Sequence, residues 1–265
     1  MKKNMPINSP IKTWPKFAKA IRNKQDKLLL RLDDFSDAIL IAGCQRSGTT
    51  MLARIITESE GMVNYWFGPD DELDAALILS GHDAHQPRGR YCFQTTYLNE
   101  CYPEYYEHEN FRMVWVLRNP HSVVYSMVHN WKNFALNELF NSCATQLLED
   151  RYKRRYAIFG HWGLPRLLRA CYAYNAKTSQ IKQLRAHLDE SRLQVVDYDD
   201  LVKNKARILP RIYEFIGQPY KTEYEQAIKS SSLVKSKGAS AREQEVVERL
   251  CMPVYKELLG FKTLV

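Results

Sequence analysis

The chain has 265 residues with 45% apolar content, which is enough for one large domain with a sizeable core. Its 38 Lys and Arg residues against 30 Asp and Glu residues give a formal charge of +8, which suits an anionic ligand, a nucleic acid or an acidic surface. The six cysteines are scattered and no run approaches about eighteen apolar residues, so we expect no disulfide framework, no structural zinc site, no membrane span and a cytoplasmic location.

The first predicted elements surround a glycine-containing turn. Residues 1–36 are expected to form an N-terminal extension with a short amphipathic helix from about Phe17 to Leu32. The compact apolar run "AILIAGC", from Ala38, predicts a buried parallel strand, and the segment Thr49–Thr57 has apolar residues at helical spacing. The local unit is therefore strand, glycine loop and helix.

Later segments repeat the alternation of strands and helices. The stretch "RYCFQTT" is a weaker strand candidate, whereas "FRMVWVLRNP", residues 111–120, predicts a buried strand. That strand leads into Asn119, an N-cap residue, and a first-turn proline for the next helix. Residues 138–187 are mostly helical in pattern, and "LQVVDYDD", from Leu193, predicts another strand.

The last third of the chain is predicted to be mostly helical. One helix runs through Ala206–Ile216, and Ser240 with Glu243 has the spacing of a capping box for a final helix that ends near Gly260. Helices alternating with buried strands predict a single α/β domain over the whole chain, with its core at about 38–262. We expect a central parallel sheet with helices on both faces and a P-loop-like nucleotide-binding architecture.

The stretch "GCQRSGTT" has the spacing of a phosphate-binding loop. Gly43 and Gly48 are separated as in loops whose backbone N–H groups and following helix N-terminus hold phosphate oxygens. The lysine that nucleotide hydrolases carry after the second glycine is replaced by Thr49, followed by Thr50. A positive charge lies inside the loop at Arg46, whose guanidinium can bind two oxygens of a phosphate or sulfate. A tight chain reversal is the alternative, but the pattern favours an anion clamp over Mg-assisted hydrolysis.

These residues resemble the 3′-phosphoadenosine 5′-phosphosulfate (PAPS) dependent sulfotransferases, in which the loop after the first strand is commonly written GxxRSGTT. The resemblance covers about residues 38–262. It implies that the loop wraps the 5′-phosphosulfate, with Arg46 beside the transferred sulfuryl group. The donor-binding residues implied in this segment are Gln45, Arg46, Ser47, Gly48, Thr49 and Thr50.

A second motif, "RNPHSVVYS", carries the same resemblance. The family holds the 3′-phosphate with an arginine that ends a central strand and a serine eight residues later, here Arg118 and Ser126. Helical geometry places Ser126 on the same face as Ser122, so its hydroxyl can point toward the strand end. The resemblance also implies donor contacts from Lys235 and Lys237. The alternatives are a strand-end ion pair for the arginine, a tolerated helix serine, and a solvated loop for the lysines.

The predicted base departs from the commonest pattern of the family. Many relatives carry Lys-Thr-His or Lys-Thr-Pro before the arginine strand, and the histidine is the base in some of them. The corresponding "FQTTYL" has Gln94 and two threonines, whereas other branches use a carboxylate after the first loop-helix unit. We expect Asp70, Asp71 or Glu72 to be the base, because crowded carboxylates raise one another's pKa. N-capping of the following helix by Asp70 or Asp71 is the alternative.

The predicted function is transfer of a sulfuryl group from PAPS to a hydroxyl or amine of a small-molecule acceptor, with 3′-phosphoadenosine 5′-phosphate (PAP) as product and no metal. Arg46 would stabilise charge while a carboxylate from residues 70–72 removes the acceptor's proton. The acidic stretch 70–74 favours a cationic natural product as acceptor. We expect neither a nucleic acid nor a membrane as partner, and a homodimer stays open.

Several other functions stay open at this point. A P-loop kinase or hydrolase would need a lysine after Gly48 and an aspartate ending a strand, for which "VVDYDD" is the only candidate. A sulfotransferase acting on a glycan and a catalytically idle anion-binding homologue are further alternatives. The stretch "RYKRRY", residues 151–156, fits nucleic-acid binding less well than a charged helix face. His82 and His85 are incomplete as a metal site.

Overall fold

A computed structural model describes residues 10–66, 68–229 and 238–264. Its sheet has four parallel strands in the order β2-β1-β3-β4. The strands are β1 (Ala38–Gly43), β2 (Cys92–Gln94), β3 (Phe111–Leu117) and β4 (Leu193–Asp197). All of these strands were predicted, including the weaker candidate that became β2.

The α-helices connect and cover these strands. In chain order they are α1 (Trp14–Ala20), α2 (Thr49–Thr57), α3 (Asp71–Leu79), α4 (Pro120–His129), α5 (Asn133–Cys143), α6 (Asp150–Phe159), α7 (Arg166–His187), α8 (Tyr198–Lys203), α9 (Lys205–Ile216), α10 (Ala241–Leu250) and α11 (Met252–Leu258). Within the described ranges, none of the helices is both long and apolar enough to cross a bilayer.

Both faces of the sheet are buried under helices, as expected for parallel strands. In β1, Leu40 and Ala42 face one core cluster, which includes the buried residues of α3 and the C-terminal half of α7. Ile39 and Ile41 face a second cluster, which includes residues of α2, α8 and α9. The predicted α/β class with helices on both faces is confirmed.

The N-terminal helix differs from the prediction of one helix over Phe17–Leu32. The α-helix begins earlier, at Trp14, with a proline in its first turn, and it ends at Ala20. A short 3₁₀ turn follows, and Gln25 then adopts a left-handed backbone with φ of 59°. A residue with a left-handed backbone cannot continue a right-handed α-helix. The amphipathic pattern is therefore divided between two short elements.

The C-terminal helix begins as predicted but is interrupted. The Ser240 side chain accepts from the Glu243 backbone N–H, and the Glu243 carboxylate accepts from the Ser240 backbone N–H, which makes a complete capping box. The helix stops at Leu250, and a new one starts at Met252 with Pro253 in its first turn. A proline has no N–H for the helical ladder, so the predicted single helix becomes α10 and α11.

The strand register brings three chain segments to one edge of the sheet. Gly43 pairs with Val116, and Leu117 pairs with Asp197, so β1, β3 and β4 end at nearly the same level. The glycine loop, the residue after β3 and the start of α8 therefore meet at the carboxyl edge. Ligands of open parallel sheets bind at this edge.

Candidate active site

The glycine loop has a tightly fixed backbone. Gly43 has φ of 140°, and a Cβ there would lie 2.5 Å from the Val116 carbonyl oxygen. Gly48 has φ of 96°, and a Cβ there would lie 2.1 Å from Cε2 of Tyr198. Between them Arg46 adopts a left-handed φ of 72°, which is unfavourable for a side chain with a Cβ. Strain of this kind is concentrated at binding loops.

The two arginines predicted to bind the donor lie together. The Arg46 Nε donates to the Ser126 hydroxyl at 3.0 Å, and the Arg118 Nη1 donates to the Arg46 carbonyl oxygen at 3.2 Å. The Arg118 guanidinium also lies over the Tyr198 ring, 4.3 Å from its centroid, and its Nε is 3.7 Å from the Asp199 carboxylate. Two motifs that are far apart in the chain thus form one site.

The electrostatics of this site favour an anion. Burial, and next the charge of Arg118, lower the pKa of Arg46, because two guanidinium groups converge in a poorly solvated place. The buried hydroxyl of Ser47 has no hydrogen-bond partner among the described residues. An anion bound at the N-terminus of α2 would offset the repulsion between the arginines and supply an acceptor for such a hydroxyl.

Glu72 is held beside the loop by two side chains of the β2 segment. The Thr96 hydroxyl donates to Glu72 Oε1, and the Gln94 Nε2 donates to Glu72 Oε2 at 3.3 Å. The same Gln94 nitrogen donates to the hydroxyl of Thr49, in the first turn of α2, at 3.1 Å. Burial raises the pKa of Glu72 to about 8, whereas the hydrogen bond from Thr96 lowers it. This carboxyl group suits proton transfer near neutral pH.

One cleft of about 570 Å³ contains both the arginine pair and Glu72. The same cleft is lined by aromatic residues, including Trp14, Tyr97 and Trp131. A concave space with aromatic walls and a few converging polar groups is typical of a small-molecule site.

Comparison with protein-family models finds a match to the sulfotransferase domain over residues 36–250. The chain belongs to the sulfotransferase family. No curated protein sequence matches this sulfotransferase.

Solved structures of sulfotransferases share the fold of this chain at low sequence identity. The mouse sulfotransferase SULT7A1 complexed with PAP has a TM-score of 0.51 at 15% identity, covering 89% of this chain and 94% of its own. A sulfotransferase from Alicyclobacillus acidocaldarius has a TM-score of 0.51 at 14% identity, covering 86% of this chain and 97% of its own. The sulfotransferase domain of the curacin biosynthetic pathway has a TM-score of 0.50 at 14% identity, covering 85% and 97%.

Most of the residues predicted to bind the donor or act in catalysis line the cleft of this sulfotransferase. They are Gln45, Arg46, Gly48, Thr49, Thr50, Asp70, Asp71, Glu72, Arg118 and Ser126. Ser47 is buried within the loop itself. Lys235 and Lys237 lie outside the described residues, so their predicted donor contacts stay predictions.

The three candidate bases have different surroundings. Asp70 caps α3, since its Oδ1 accepts from the Leu73 N–H at 3.1 Å, and its Oδ2 accepts from the Trp14 Nε1 at 2.8 Å. Asp71 accepts from the Arg54 Nε at 2.9 Å. These contacts agree with the structural alternative stated for Asp70, whereas only Glu72 is linked to the glycine loop by hydrogen bonds.

Some buried polar residues that support the site lacked a recognised signal in the sequence. Lys177 is buried in α7, its Nζ donates to the Leu98 carbonyl oxygen at 2.6 Å, and burial lowers its pKa. Gln180 donates to the Asn99 carbonyl oxygen at 2.6 Å, and Asn99 in turn accepts from Gln45 at 3.1 Å. The sequence signal that could have found Lys177 is helical periodicity, because this residue lies at helical spacing from the buried residues of α7.

Histidines do not form a metal centre in the part of the chain that the structure describes. No group of three or more His, Cys, Asp or Glu side chains there is placed to hold a metal ion. The His82 Nδ1 lies 3.1 Å from the Ser80 carbonyl oxygen, and the His85 Nε2 lies 3.1 Å from the Tyr91 hydroxyl. Both histidines thus contact their own loop.

Replacing Gly48 with Ala is expected to damage both the fold and the loop. The left-handed φ costs about 1–2 kcal/mol for a residue with a Cβ, and the clash with Tyr198 adds to it. Urea unfolding should show a lower free energy of unfolding, and titration should show weaker PAP binding. Gly260→Ala is the matched control, because a Cβ there meets no described atom within 4 Å. Equal stability of the two variants would contradict the assigned strain.

Proposed function

We propose that this sulfotransferase transfers a sulfuryl group from PAPS to a hydroxyl or amine of a small-molecule acceptor and releases PAP. The observation that carries the proposal is the convergence of Arg46, Arg118 and Ser126 at the glycine loop. One arginine lies within the loop that would hold the 5′ side of the donor, and the other ends a strand where the 3′-phosphate would bind. A 3′-phosphate distinguishes PAPS from ATP.

The residues present fit such a donor. PAPS supplies the activated sulfuryl group when it binds. The partnerless hydroxyl of Ser47, the N-terminus of α2 and the paired guanidinium groups are the features that anionic groups of a nucleotide would satisfy. The same fold in a mouse sulfotransferase complexed with PAP adds support.

The chemical roles follow from where each group lies. Glu72 would accept the proton of the acceptor hydroxyl or amine, since its pKa near 8 keeps proton transfer feasible around neutral pH. Gln94 would hold the Glu72 carboxyl group beside the loop, because its Nε2 donates to both Glu72 and Thr49. Arg46 and the loop N–H groups would stabilise negative charge that develops during in-line transfer.

The acceptor is proposed to be a small molecule that fits the cleft of about 570 Å³. The expectation of a cationic acceptor rested on the carboxylates of residues 70–74. Asp70 and Asp71 are engaged with Trp14 and Arg54, so they offer less attraction to a cation than the sequence suggested. The proposal therefore covers neutral hydroxyl acceptors as well as amines, and a glycan stays an alternative.

A P-loop kinase or hydrolase fits less well. Its metal-binding aspartate would have to be Asp197, at the end of β4. That carboxylate caps α8 by accepting from the Asp200 N–H at 2.9 Å, and it accepts from the Tyr255 hydroxyl at 2.6 Å. Together with the threonine after Gly48, these contacts favour sulfuryl over phosphoryl transfer.

The test is calorimetric titration of wild type and Arg118→Ala with PAP, ADP and ATP/Mg²⁺. We expect wild type to prefer PAP, and the variant to bind PAP about 10²-fold more weakly, because a buried charge that would pair with phosphate is lost. ADP binding should change much less. Arg207→Ala, an exposed arginine on α9, is the control and should bind PAP as wild type does.

Circular dichroism of each variant would confirm that the fold is retained, since Arg118 also lies beside Asp199. Equal or stronger binding of ATP/Mg²⁺, unaffected by the substitution, would overturn the proposed donor. Loss of binding by Arg207→Ala alone would place the nucleotide elsewhere.

A further inference from the structure

The helix α6 and the turn after it form an unusual surface. Three large apolar side chains project there within five positions: Ile158 is 73% exposed, Phe159 61% and Trp162 78%. No residue of α6 itself is buried. Single exposed apolar residues are ordinary, but clusters of them mark interaction sites.

The orientation of α6 is fixed by its inner face. The Tyr152 ring meets the Tyr172 ring edge-on at 6.2 Å, and the Tyr156 ring meets the Phe140 ring edge-on at 5.8 Å. These tyrosines lie four positions apart, on one side of the helix. The residues on the other side consequently face solvent.

The outer face combines cations with the apolar Ile158, and Phe159 and Trp162 project at and just beyond the end of the helix. Arg151, Arg154, Arg155 and Ile158 follow the spacing of one helical face and are all exposed. Arg151 pairs with Glu149 at 2.9 Å. Neither Arg154 nor Arg155 forms an ion pair with any residue in the described ranges. The surface made by Arg151, Arg154, Arg155, Ile158, Phe159 and Trp162 is called the α6 patch below.

We propose that the α6 patch docks this protein on the surface of an anionic lipid bilayer. Exposed Trp and Phe side chains prefer the boundary between head groups and acyl chains, and nearby arginines bind lipid phosphates. Neither contribution alone gives stable membrane attachment, but together they supply the two signals that peripheral binding needs. The proposal goes beyond sulfuryl transfer and does not depend on it.

Other occupants explain the patch less well. A second copy of the chain packed on a two-fold axis would bring the arginines of both copies together, which is repulsive. Duplex DNA would use the arginines but leave Ile158 and Trp162 exposed. The sequence-based expectation of no membrane partner considered only long apolar runs that could span a membrane, and a surface-bound helix needs no such run.

Docking would also bring a second cavity close to the bilayer. The His161 ring lies 5.1 Å from the Trp162 ring, and His161 and Phe134 line a cavity of about 750 Å³. Arg22 and Glu138 line both this cavity and the active cleft, where they form an ion pair. The α6 patch therefore borders a space that adjoins the reaction site.

The experiment is flotation of the full-length protein with phosphatidylcholine vesicles, prepared with and without phosphatidylglycerol. We expect binding only to the anionic vesicles, and weaker binding as salt is raised. Arg154→Gln with Arg155→Gln should reduce partitioning by on the order of 10-fold or more. Phe159→Ser with Trp162→Ala should reduce it by at least a similar factor.

Matched controls are Leu30→Ser and Arg207→Gln, which remove an exposed apolar residue and an exposed arginine elsewhere, and neither should alter partitioning. Equal partitioning of the patch variants and wild type would overturn the proposal. Absence of wild-type flotation would also overturn it. Two further results would do so: dimerisation abolished by Trp162→Ala in sedimentation, or patch-dependent binding to duplex DNA in place of vesicles. PAP titration in parallel keeps this test separate from that of the donor site.

Discussion

Replacing Glu72 with Gln is expected to lower the turnover number by about 10²- to 10⁴-fold, the range typical for loss of a general base. The amide keeps the size of the side chain and can still bond to Thr96, so the donor loop should persist. The measurement is the rate of PAP release from PAPS with an acceptor chosen from a panel of alcohols, phenols and amines. PAP affinity should change little, which separates loss of the base from loss of the donor site.

The pH dependence gives the sharper test of Glu72. A base must be deprotonated, so the wild-type rate should rise with pH and level off above about 8, where the carboxyl group has lost its proton. Thr96→Val removes the hydrogen bond that lowers the pKa of Glu72, and the profile should move to higher pH. Asp70→Asn should move the profile the other way, to lower pH, because the charge of Asp70 helps to raise the pKa of Glu72. An unchanged rate in Glu72→Gln would contradict the assignment.

The free energy of unfolding should change with pH in the opposite direction to the catalytic rate. The folded-state pKa of Glu72 is raised, so between its ordinary value and about 8 the folded chain keeps a proton that the unfolded chain has released. Folding stability contributed by this group is therefore lost as the pH rises through that window. In urea unfolding across the same pH range, the Glu72→Gln variant should not show this decrease in the free energy of unfolding.

Replacing Arg46 with Ala is expected to lower turnover by on the order of 10²-fold or more, by analogy with removal of one donor that stabilises a developing oxyanion. The Arg46 side chain donates to Ser126 and its backbone carbonyl oxygen accepts from Arg118, so loss of the guanidinium removes positive charge from the anion site. Turnover and PAP affinity should be measured on the same preparation, because the substitution affects both.

Arg46→Lys is the matched variant for this experiment. It keeps the charge but cannot bind two oxygens with a planar fork, so we expect an intermediate rate. Ser126→Ala should have a smaller effect than Arg46→Ala, since it removes one neutral hydroxyl. Undiminished turnover in Arg46→Ala would refute the role assigned to this arginine.

Much of the proposed donor site could be predicted because its signals are local. Gly43 and Gly48 mark backbone positions that the loop needs, and the capping residue Asn119 marks where β3 gives way to α4. The side chain of Ser126 reaches the site because helical periodicity sets its direction, and that periodicity is visible in sequence. These features depend on interactions between residues close along the chain.

The N-terminal helix and the bases were harder to predict because they depend on tertiary packing. The pattern over Phe17–Leu32 could not show that Gln25 turns left-handed and divides the segment. Among the three acidic residues at 70–72, crowding in sequence suggested that any one could have a raised pKa. In the structure Asp71 pairs with Arg54, whereas Glu72 turns toward Thr96.

The sequence alone predicted the family, the parallel α/β fold and the two arginines that meet at the glycine loop, because glycine spacing, strand runs and helix caps are local properties. Tertiary structure alone decided how these parts meet: the strand register places Arg118 beside the loop, and the end of β2 with the turn after it presents Gln94 and Thr96 to Glu72. It also decided that the outer face of α6 stays uncovered. Burial and pairing are set by residues distant in the chain, and they control both a carboxyl group's pKa and the exposure of an apolar surface.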